Sequence, residues 1–397
     1  MKSLHTVEAM RVAARCKLPR MVFDFVDGGA GGESALRRNI RAFESVRLWP
    51  RVLTGAVHRT QTVELLGQHY AAPFGIAPIG MANVVRPGTD AALARAAARA
   101  GLCYVLSTAA TTSIEDIAAV FRGAWFQLYV GSEAAITDGL VERADAAGLP
   151  VLVVTADVPA PGKRLRDLEN GFIVPLRPGV RMAASVARHP AWLARMVLRG
   201  APRFANLERY TDMKASAASL AERMAAQSSA RLDWALLERI RARWPRKLVL
   251  KGVLHPEDAR RAAECGVDAV VVSNHGGRQL DAAPATLEAL DRIRRVVGPG
   301  LPLILDGGVR SGEDIARALA LGADFVLLGR PFLYSVAALG LEGGPARLIG
   351  QLRDEFDRAL AQLGCASPAQ LRTLPMVERS VVSEILSGGQ TPHRRGG

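Results

Sequence analysis

Cysteine is scarce in this chain. The four present, Cys16, Cys103, Cys265 and Cys365, are widely scattered and show neither a CxxC pair nor metal-ligand spacing. A disulfide framework and a thiolate-held metal are therefore not expected, and the cysteines read as reduced thiols of a cytosol-facing protein. Aromatic residues make up only 5% of the 397 residues, and zinc-finger and helix-turn-helix spacings are missing. That argues against nucleic acid as a partner. No run of 18 apolar residues exists, so no spanning helix is expected. The segment from Met1 to Arg11 is too interrupted by charge to be a signal peptide. No GxGxxG follows an apolar strand, which disfavours a dinucleotide and leaves a mononucleotide preferred.

What is present is a large apolar fraction, 49%, with 22% charged residues, enough for a sizeable core. The net charge is +13 and the pI about 10.3, which suits acidic substrates or anionic lipid.

From Phe74 onward, short apolar strands alternate with helical periods. The strands are expected at Phe74–Ala77, Tyr104–Ser107, Trp125–Tyr129, Val151–Asp157, Leu248–Lys251, Ala269–Ser273, Leu303–Asp306 and Phe325–Gly329. Helices are expected at Thr89–Ala100, Ser132–Ala147, Glu257–Cys265, Thr286–Val297 and Glu313–Leu321, with two short ones before the barrel, at 6–15 and Met21–Val26. This rhythm predicts an α/β fold, an eight-stranded (β/α)8 TIM barrel of about residues 70–365 within a single domain spanning the chain. A long insertion of about 173–232 follows the fourth strand, and a polar, glycine-rich tail of about 384–397 is expected to be disordered.

In such a barrel the strand ends share one mouth. Ser107, Gln127, Tyr129, Thr155, Asp157, Lys251, Ser273, His275, Arg278, Asp306 and Arg330 all fall there. Each has an ordinary structural explanation taken alone, but eight strands ending independently in such groups is not an ordinary coincidence. His275 is a proton acceptor, and Arg278 three residues on can grip a carboxylate with two parallel hydrogen bonds. Together they suggest proton abstraction beside a substrate carboxylate. The glycine-rich turns after the seventh and eighth strands, Asp306–Arg310 and Gly329–Arg330, lie where barrels bind phosphate, with Arg310 and Arg330 as cations.

These motifs are long: Ala77-Pro78, Trp125-Phe-Gln-Leu-Tyr129, Thr155-Ala-Asp157, Lys251-Gly252, Ser273–Asp281, Asp306–Arg310 and Gly329-Arg330. With them the chain resembles the FMN-dependent (S)-2-hydroxy-acid oxidase/dehydrogenase family from about Leu18 to Cys365, above all its membrane-associated bacterial lactate and mandelate dehydrogenases. The resemblance implies FMN as cofactor. It implies that His275 takes the hydroxyl or α-carbon proton, with carbanion and hydride versions both open, and that Asp157 holds the other imidazole nitrogen. By the same resemblance Arg278 and Arg164 clamp the substrate carboxylate, Tyr129 bonds the substrate oxygen, and Lys251 sits beside flavin N1 and O2. Ala77, Pro78, Ile79, Ser107, Gln127, Thr155 and Ser273 are implied around the ring. Asp306, Gly308, Arg310, Gly329 and Arg330 are implied at the ribityl-phosphate end.

Two positions depart from the family pattern. Phe25 stands where a tyrosine commonly contacts the substrate carboxylate, and a phenyl ring has no hydroxyl to donate. Ala109 stands where glycolate oxidase has a tryptophan, which argues for a substrate larger than glycolate.

The expected function is oxidation of an (S)-2-hydroxy acid, lactate- or mandelate-like, to the 2-oxo acid. No haem domain is expected before the barrel, so the electrons are expected to pass to an external acceptor, quinone first. Gly80 resembles the dehydrogenases. The alternatives are an oxidase that makes peroxide from O2, and an FMN-binding electron relay without hydroxy-acid turnover. In the insertion, Arg177 and Arg181 precede a stretch in which Arg188, Arg195 and Arg199 alternate with Trp192, Leu193, Met196 and Val197 at helical spacing. That fits a basic amphipathic helix on an anionic membrane surface, or a lid packed on the barrel. The expected location is cytoplasmic, on the inner face of the cell membrane. A homotetramer is implied by resemblance.

Overall fold

The computed structural model describes residues 4–131, 133–172, 179–200, 202–210, 232–374 and 377–379. Eight parallel strands close into a barrel: β1 (Phe74–Ile76), β2 (Cys103–Ser107), β3 (Trp125–Tyr129), β4 (Val151–Thr155), β5 (Lys247–Val253), β6 (Ala269–Val272), β7 (Leu303–Asp306) and β8 (Phe325–Leu328). Each pairs with its sequence neighbours, and β8 pairs with β1 to close the ring. The expected (β/α)8 barrel is the observed fold.

Side-chain alternation along each strand sorts the apolar residues into two sets. One set, including Phe74, Leu106, Phe126, Leu152, Leu250, Val270, Leu305 and Val326, packs against the surrounding helices. The other, including Val105, Trp125, Val153, Val249, Val271, Ile304 and Leu327, fills the barrel. A short hairpin, Val63–Leu65 with Gln68–Tyr70, belongs to this second set and stoppers the end where the strands begin. Tyr70 Oη accepts from Trp125 Nε1 at 3.1 Å and its ring lies 5.2 Å from that of Phe325. One end of the barrel is thus filled with aromatic rings, and the chemistry is left to the other.

The N-terminal helices Val7–Lys17 and Arg20–Asp27 pack against the helix Arg330–Leu339 that follows β8. Buried Asp27 fixes them there. It accepts from Arg11 Nη2 at 2.9 Å, Tyr334 Oη at 2.8 Å and Arg166 Nη1 at 3.0 Å. Burial pushes the Asp27 carboxyl up, but the hydrogen bonds from Arg11 and Tyr334 outweigh it and bring it down to about 2. A third helix, Ser34–Glu44, then crosses toward the β6 and β7 ends. A 21-residue helix, Gly343–Leu363, completes the outer layer.

After β4 comes the helix Leu165–Glu169, and within the region expected as an insertion the described residues form the helices Val180–Ala187 and Pro190–Arg199. Regular barrel order resumes with Trp234–Arg243, whose Asp233 cap accepts from the Leu236 N–H at 2.8 Å. Arg177, the expected start of a helix at Ser132 and the expected disordered tail lie outside the described residues.

Candidate active site

The inward-facing period does not stop at the top of the strands; it changes chemistry. Two residues beyond Val105, Trp125, Val153, Val249, Val271 and Ile304 come Ser107, Gln127, Thr155, Lys251, Ser273 and Asp306. All six are buried, so the uppermost layer of the barrel interior is polar. Lys251 Nζ lies 3.1 Å from Asp306 Oδ2 and donates to Ser273 Oγ at 2.9 Å. Burial works against its charge, but Asp306 and Asp157 outweigh burial and raise its pKa, so it stays an ammonium.

Ser107 Oγ donates to Gln127 Oε1 at 2.9 Å and leaves Gln127 Nε2 without a partner. Thr155 Oγ1, Asp157 Oδ2 and Asp306 Oδ1 are likewise buried and unpartnered. Buried polar atoms are almost always hydrogen-bonded, so this layer has the form of a binding surface for a group with several donors and acceptors along its edge. An isoalloxazine ring is such a group. The donors here, an amide, a hydroxyl and an ammonium, suit its carbonyl and nitrogen edge. Ala77, Pro78 and Ile79 follow β1 at the same mouth, where the Ala77 N–H donates to Leu328 O at 3.0 Å.

Above this layer stands the base. His275 begins three successive residues in the left-handed region, with φ of 58° for His275, 63° for Gly276 and 75° for Gly277. Only the first carries a side chain, and its N–H is held by Ser273 Oγ at 3.0 Å. Its Nδ1 lies 3.0 Å from Asp157 Oδ1, and its Nε2 lies 3.3 Å from Tyr129 Oη. Burial pushes the Asp157 carboxyl up, but His275 and Lys251 outweigh it, so its pKa is lowered and it is ionised at neutral pH. A carboxylate accepts only, so Nδ1 carries a hydrogen and Nε2 presents its lone pair to the mouth. Burial and the neighbouring Asp157 push the Tyr129 phenol up to about 12, so it keeps its proton as a donor.

The third feature is concentrated positive charge. Arg278 Nη1 donates to Phe25 O at 2.7 Å and Gly28 O at 3.0 Å. Burial, Arg164 and Arg330 lower its pKa well below the usual guanidinium value, as expected where cations crowd without a full complement of anions. Arg164 pairs with Asp167 at 2.9 Å. The Phe25 ring lies 5.2 Å from the Arg278 guanidinium and 5.6 Å from that of Arg164, and Phe172 meets it edge-on at 5.3 Å. The hydroxyl-free ring at position 25 is therefore a platform for both cations.

At the far side, Gly307 and Gly308 have φ of 92° and 91°, and a Cβ on Gly308 would lie 2.3 Å from Asn39 O. Arg310 follows, and its Nη1 donates to Val309 O at 2.8 Å. Arg330 follows Gly329, but its guanidinium is largely engaged in fastening chain to chain. It donates to Val26 O at 3.0 Å, Gly276 O at 2.9 Å and Gly28 O at 2.7 Å. The sequence suggested Arg330 as a phosphate cation; the structure gives three of its five donors to backbone, which leaves Arg310 the freer cation. Residues near the site that sequence reading does not find include Phe172, Asp167, Asn39 and Arg166, the last of which joins the helix after β4 to Asp27 and Glu33.

The insertion helix Pro190–Arg199 has no buried residue. Trp192 is half-buried, its Nε1 donating to Val84 O at 2.9 Å, and Met196 is half-buried beside it on the sequence pattern. The apolar side chains left in solvent are Leu193, Val197 and Leu198, with Val180 of the preceding helix, while Arg181, Arg188, Arg195 and Arg199 are exposed among them. The expected amphipathic helix is thus present, with Trp192 docked on the β1 loop instead of on its outer face. Among the described residues no helix is long and apolar enough to cross a membrane.

Comparison with known proteins bears on this geometry. The chain is 39% identical to the (S)-mandelate dehydrogenase of Pseudomonas putida over 394 residues, 98% of this chain and 99% of that one. It is 38% identical to the L-lactate dehydrogenase of Chromohalobacter salexigens over 379 residues, 94% of this chain and 96% of the relative. The fold superposes on a crystal structure described as the monotopic membrane protein (S)-mandelate dehydrogenase with a TM-score of 0.88 at 38% identity. That match covers 94% of this chain and 98% of the other. The profile of the FMN-dependent dehydrogenases matches residues 14–378, and the chain belongs to that family of FMN-using oxidoreductases.

Proposed function

We propose that this chain oxidises an (S)-2-hydroxy acid to the corresponding 2-oxo acid, working as one catalytic domain. The observation that carries the reading is a proton acceptor fixed in one tautomer, His275 on Asp157, beside two arginines, Arg164 paired with Asp167 and Arg278 bonded to the backbone carbonyls of Phe25 and Gly28. Arg278 and Arg164 bind the substrate carboxylate. Tyr129 donates to the substrate oxygen on which charge develops. Nε2 of His275 accepts the proton, and Asp157 stabilises the resulting imidazolium. FMN, when bound, supplies the acceptor for the two electrons that leave the substrate.

Gln127, Thr155, Lys251, Ser107, Ser273 and the Ala77-Pro78-Ile79 segment would hold its ring. Asp306, Gly308, Arg310, Gly329 and, with its remaining donors, Arg330 would hold the ribityl-phosphate end. The apolar rings of Phe25 and Phe172 near the clamp favour an aryl-bearing acid such as mandelate over lactate, as does Ala109 at the position where glycolate oxidase has a tryptophan.

Exposed Val180, Leu193, Val197 and Leu198 among arginines support peripheral docking on an anionic membrane, at the inner face of the cell membrane. That placement makes quinone a fitting electron acceptor. A homotetramer remains part of the same proposal. Anaerobic mixing of the FMN-loaded protein with (S)-mandelate, (R)-mandelate and L-lactate tests the central reading. The flavin absorbance should bleach fastest with (S)-mandelate and not with its enantiomer. No bleaching with any hydroxy acid would reject it in favour of an electron-relay protein. Rapid reoxidation by air with matching peroxide would instead mark an oxidase.

A further inference from the structure

The turn that presents His275 has two local backbone N–H bonds, His275 N–H to Ser273 Oγ at 3.0 Å and Gly277 N–H to Asn274 O at 3.0 Å. Three consecutive left-handed residues, 275–277, form a conformation that an isolated chain rarely keeps, and a histidine in that region is itself uncommon. Something must over-determine it. Asn274, the residue just before the base, is 4% exposed, and its side chain meets that of Asn39, 2% exposed, from the helix Ser34–Glu44. The two amides bond reciprocally: Asn39 Nδ2 donates to Asn274 Oδ1 at 2.7 Å, and Asn274 Nδ2 donates to Asn39 Oδ1 at 2.8 Å.

Both amides have further commitments. Asn274 Oδ1 also accepts from the Gly277 N–H at 3.1 Å, and Asn274 Nδ2 also donates to Pro284 O at 3.0 Å. Asn39 Oδ1 also accepts from the Thr286 N–H at 3.2 Å. The pair therefore ties both ends of the left-handed turn, through Asn274 and Gly277, to a helix that starts elsewhere in the chain. That helix is docked onto the same loop a second time, where Asp281 Oδ1 accepts from the Ala35 N–H at 2.9 Å. Asparagine is a poor helix former, so its presence on the buried face of a helix needs a reason of this kind.

We infer that Asn39 is a positioning residue for the catalytic base, acting through Asn274 to hold the His275 turn. It touches neither substrate nor base. Without it, Asn274 Oδ1 and Nδ2 each lose a buried partner, and the side chain that supplements the turn's backbone bond, Gly277 N–H to Asn274 O at 3.0 Å, is no longer fixed. The inference rests on the reading of His275 as the base.

The test uses full-length, FMN-loaded protein in four forms: wild type, Asn39→Ala, Asn274→Ala and the double variant, with His275→Gln alongside. Anaerobic flavin bleaching by (S)-mandelate gives a limiting rate and an apparent substrate affinity. For Asn39→Ala the limiting rate should fall between about tenfold and a hundredfold, the scale of a misplaced catalytic group. Affinity should change less than about threefold, because Arg278 is held separately by Phe25 O and Gly28 O. The double variant should be no slower than Asn274→Ala alone, since both break one contact. Amide hydrogen exchange in the 273–281 peptide should quicken in Asn39→Ala, a readout that needs no turnover.

A limiting rate within twofold of wild type, or losses that multiply in the double variant, would overturn the inference. Should Asn39→Ala fail to retain FMN, the near-isosteric Asn39→Asp is read the same way. It keeps the acceptor but cannot, as a carboxylate, donate to Asn274. Loss of FMN from both variants would assign Asn39 to the cofactor turn at Gly307–Gly308 and reject it as a base-positioning residue. Normal bleaching by His275→Gln would fail the underlying reading, while the exchange result would still report on the turn.

Discussion

Replacing Asp157 by asparagine removes one charge from the centre of the site and little else. The carboxylate lies 3.0 Å from His275 Nδ1, is nearly buried, and is ionised because His275 and Lys251 outweigh the cost of its burial. When Nε2 takes the substrate proton, the imidazolium and this carboxylate have charge centres about 4 Å apart. At an effective dielectric of about 20 that attraction is worth about 4 kcal/mol. Asparagine keeps a dipole but not the charge, so most of this is lost from the transition state and not from the resting enzyme. At about 1.36 kcal/mol per decade, the limiting rate of flavin bleaching should fall by about a thousandfold. The cofactor should stay, because Lys251 retains Asp306 at 3.1 Å and Ser273 at 2.9 Å. The assay is anaerobic stopped-flow absorbance with FMN content measured on the same sample. A fully flavinated Asp157→Asn protein that bleaches within tenfold of wild type would refute the argument, because the imidazolium would then not depend on its carboxylate.

Three further expectations can be checked separately. Phe25→Tyr adds a hydroxyl beside Arg278 and Arg164 and should tighten substrate binding by roughly tenfold, the value of one hydrogen bond to a charged group of about 1.5 kcal/mol; unchanged affinity would place the carboxylate elsewhere. Asp27, lowered from the usual 3.8 to about 2, contributes about 2 kcal/mol that is fully present above its unfolded pKa and is lost as pH falls through its folded one. Acid unfolding of wild type and Asp27→Asn should therefore differ at pH 6 and converge toward pH 2, and a constant gap would contradict this. Binding to anionic vesicles should weaken but persist as salt rises, and Val197→Asp with Leu198→Asp should abolish it; indifference of the wild-type protein to such vesicles at low salt would reject membrane docking.

The barrel and its mouth were legible because buried parallel strands write themselves as short apolar runs. In six of the eight, the next inward position after the last inner apolar residue is polar. Val249 to Lys251 and Ile304 to Asp306 are read directly from the alternation. The helix Ser34–Glu44 was not anticipated. It has no side-chain cap of its own, and its preceding Glu33 is left-handed at φ 62°. Its N-terminal Ala35 N–H is satisfied by Asp281, 246 residues away, so no local signal marked it. Asn39 was hidden for the same reason, since a buried asparagine declares its role only through its partner. The sequence suggested Arg330 as a phosphate cation, whereas three of its donors hold backbone carbonyls that no pattern could foretell. The insertion helix was visible in its spacing, but the docking of Trp192 on Val84 O depends on tertiary contact alone.

The central claim is that Nε2 of His275 accepts the substrate proton. The most direct test is His275→Gln, measured for bound FMN and for anaerobic bleaching by (S)-mandelate. A glutamine amide can hydrogen-bond to Asp157 and Tyr129 but cannot accept a proton at neutral pH. The account predicts full FMN occupancy with bleaching slowed by several orders of magnitude. A flavinated variant that bleaches at a near-normal rate would contradict it.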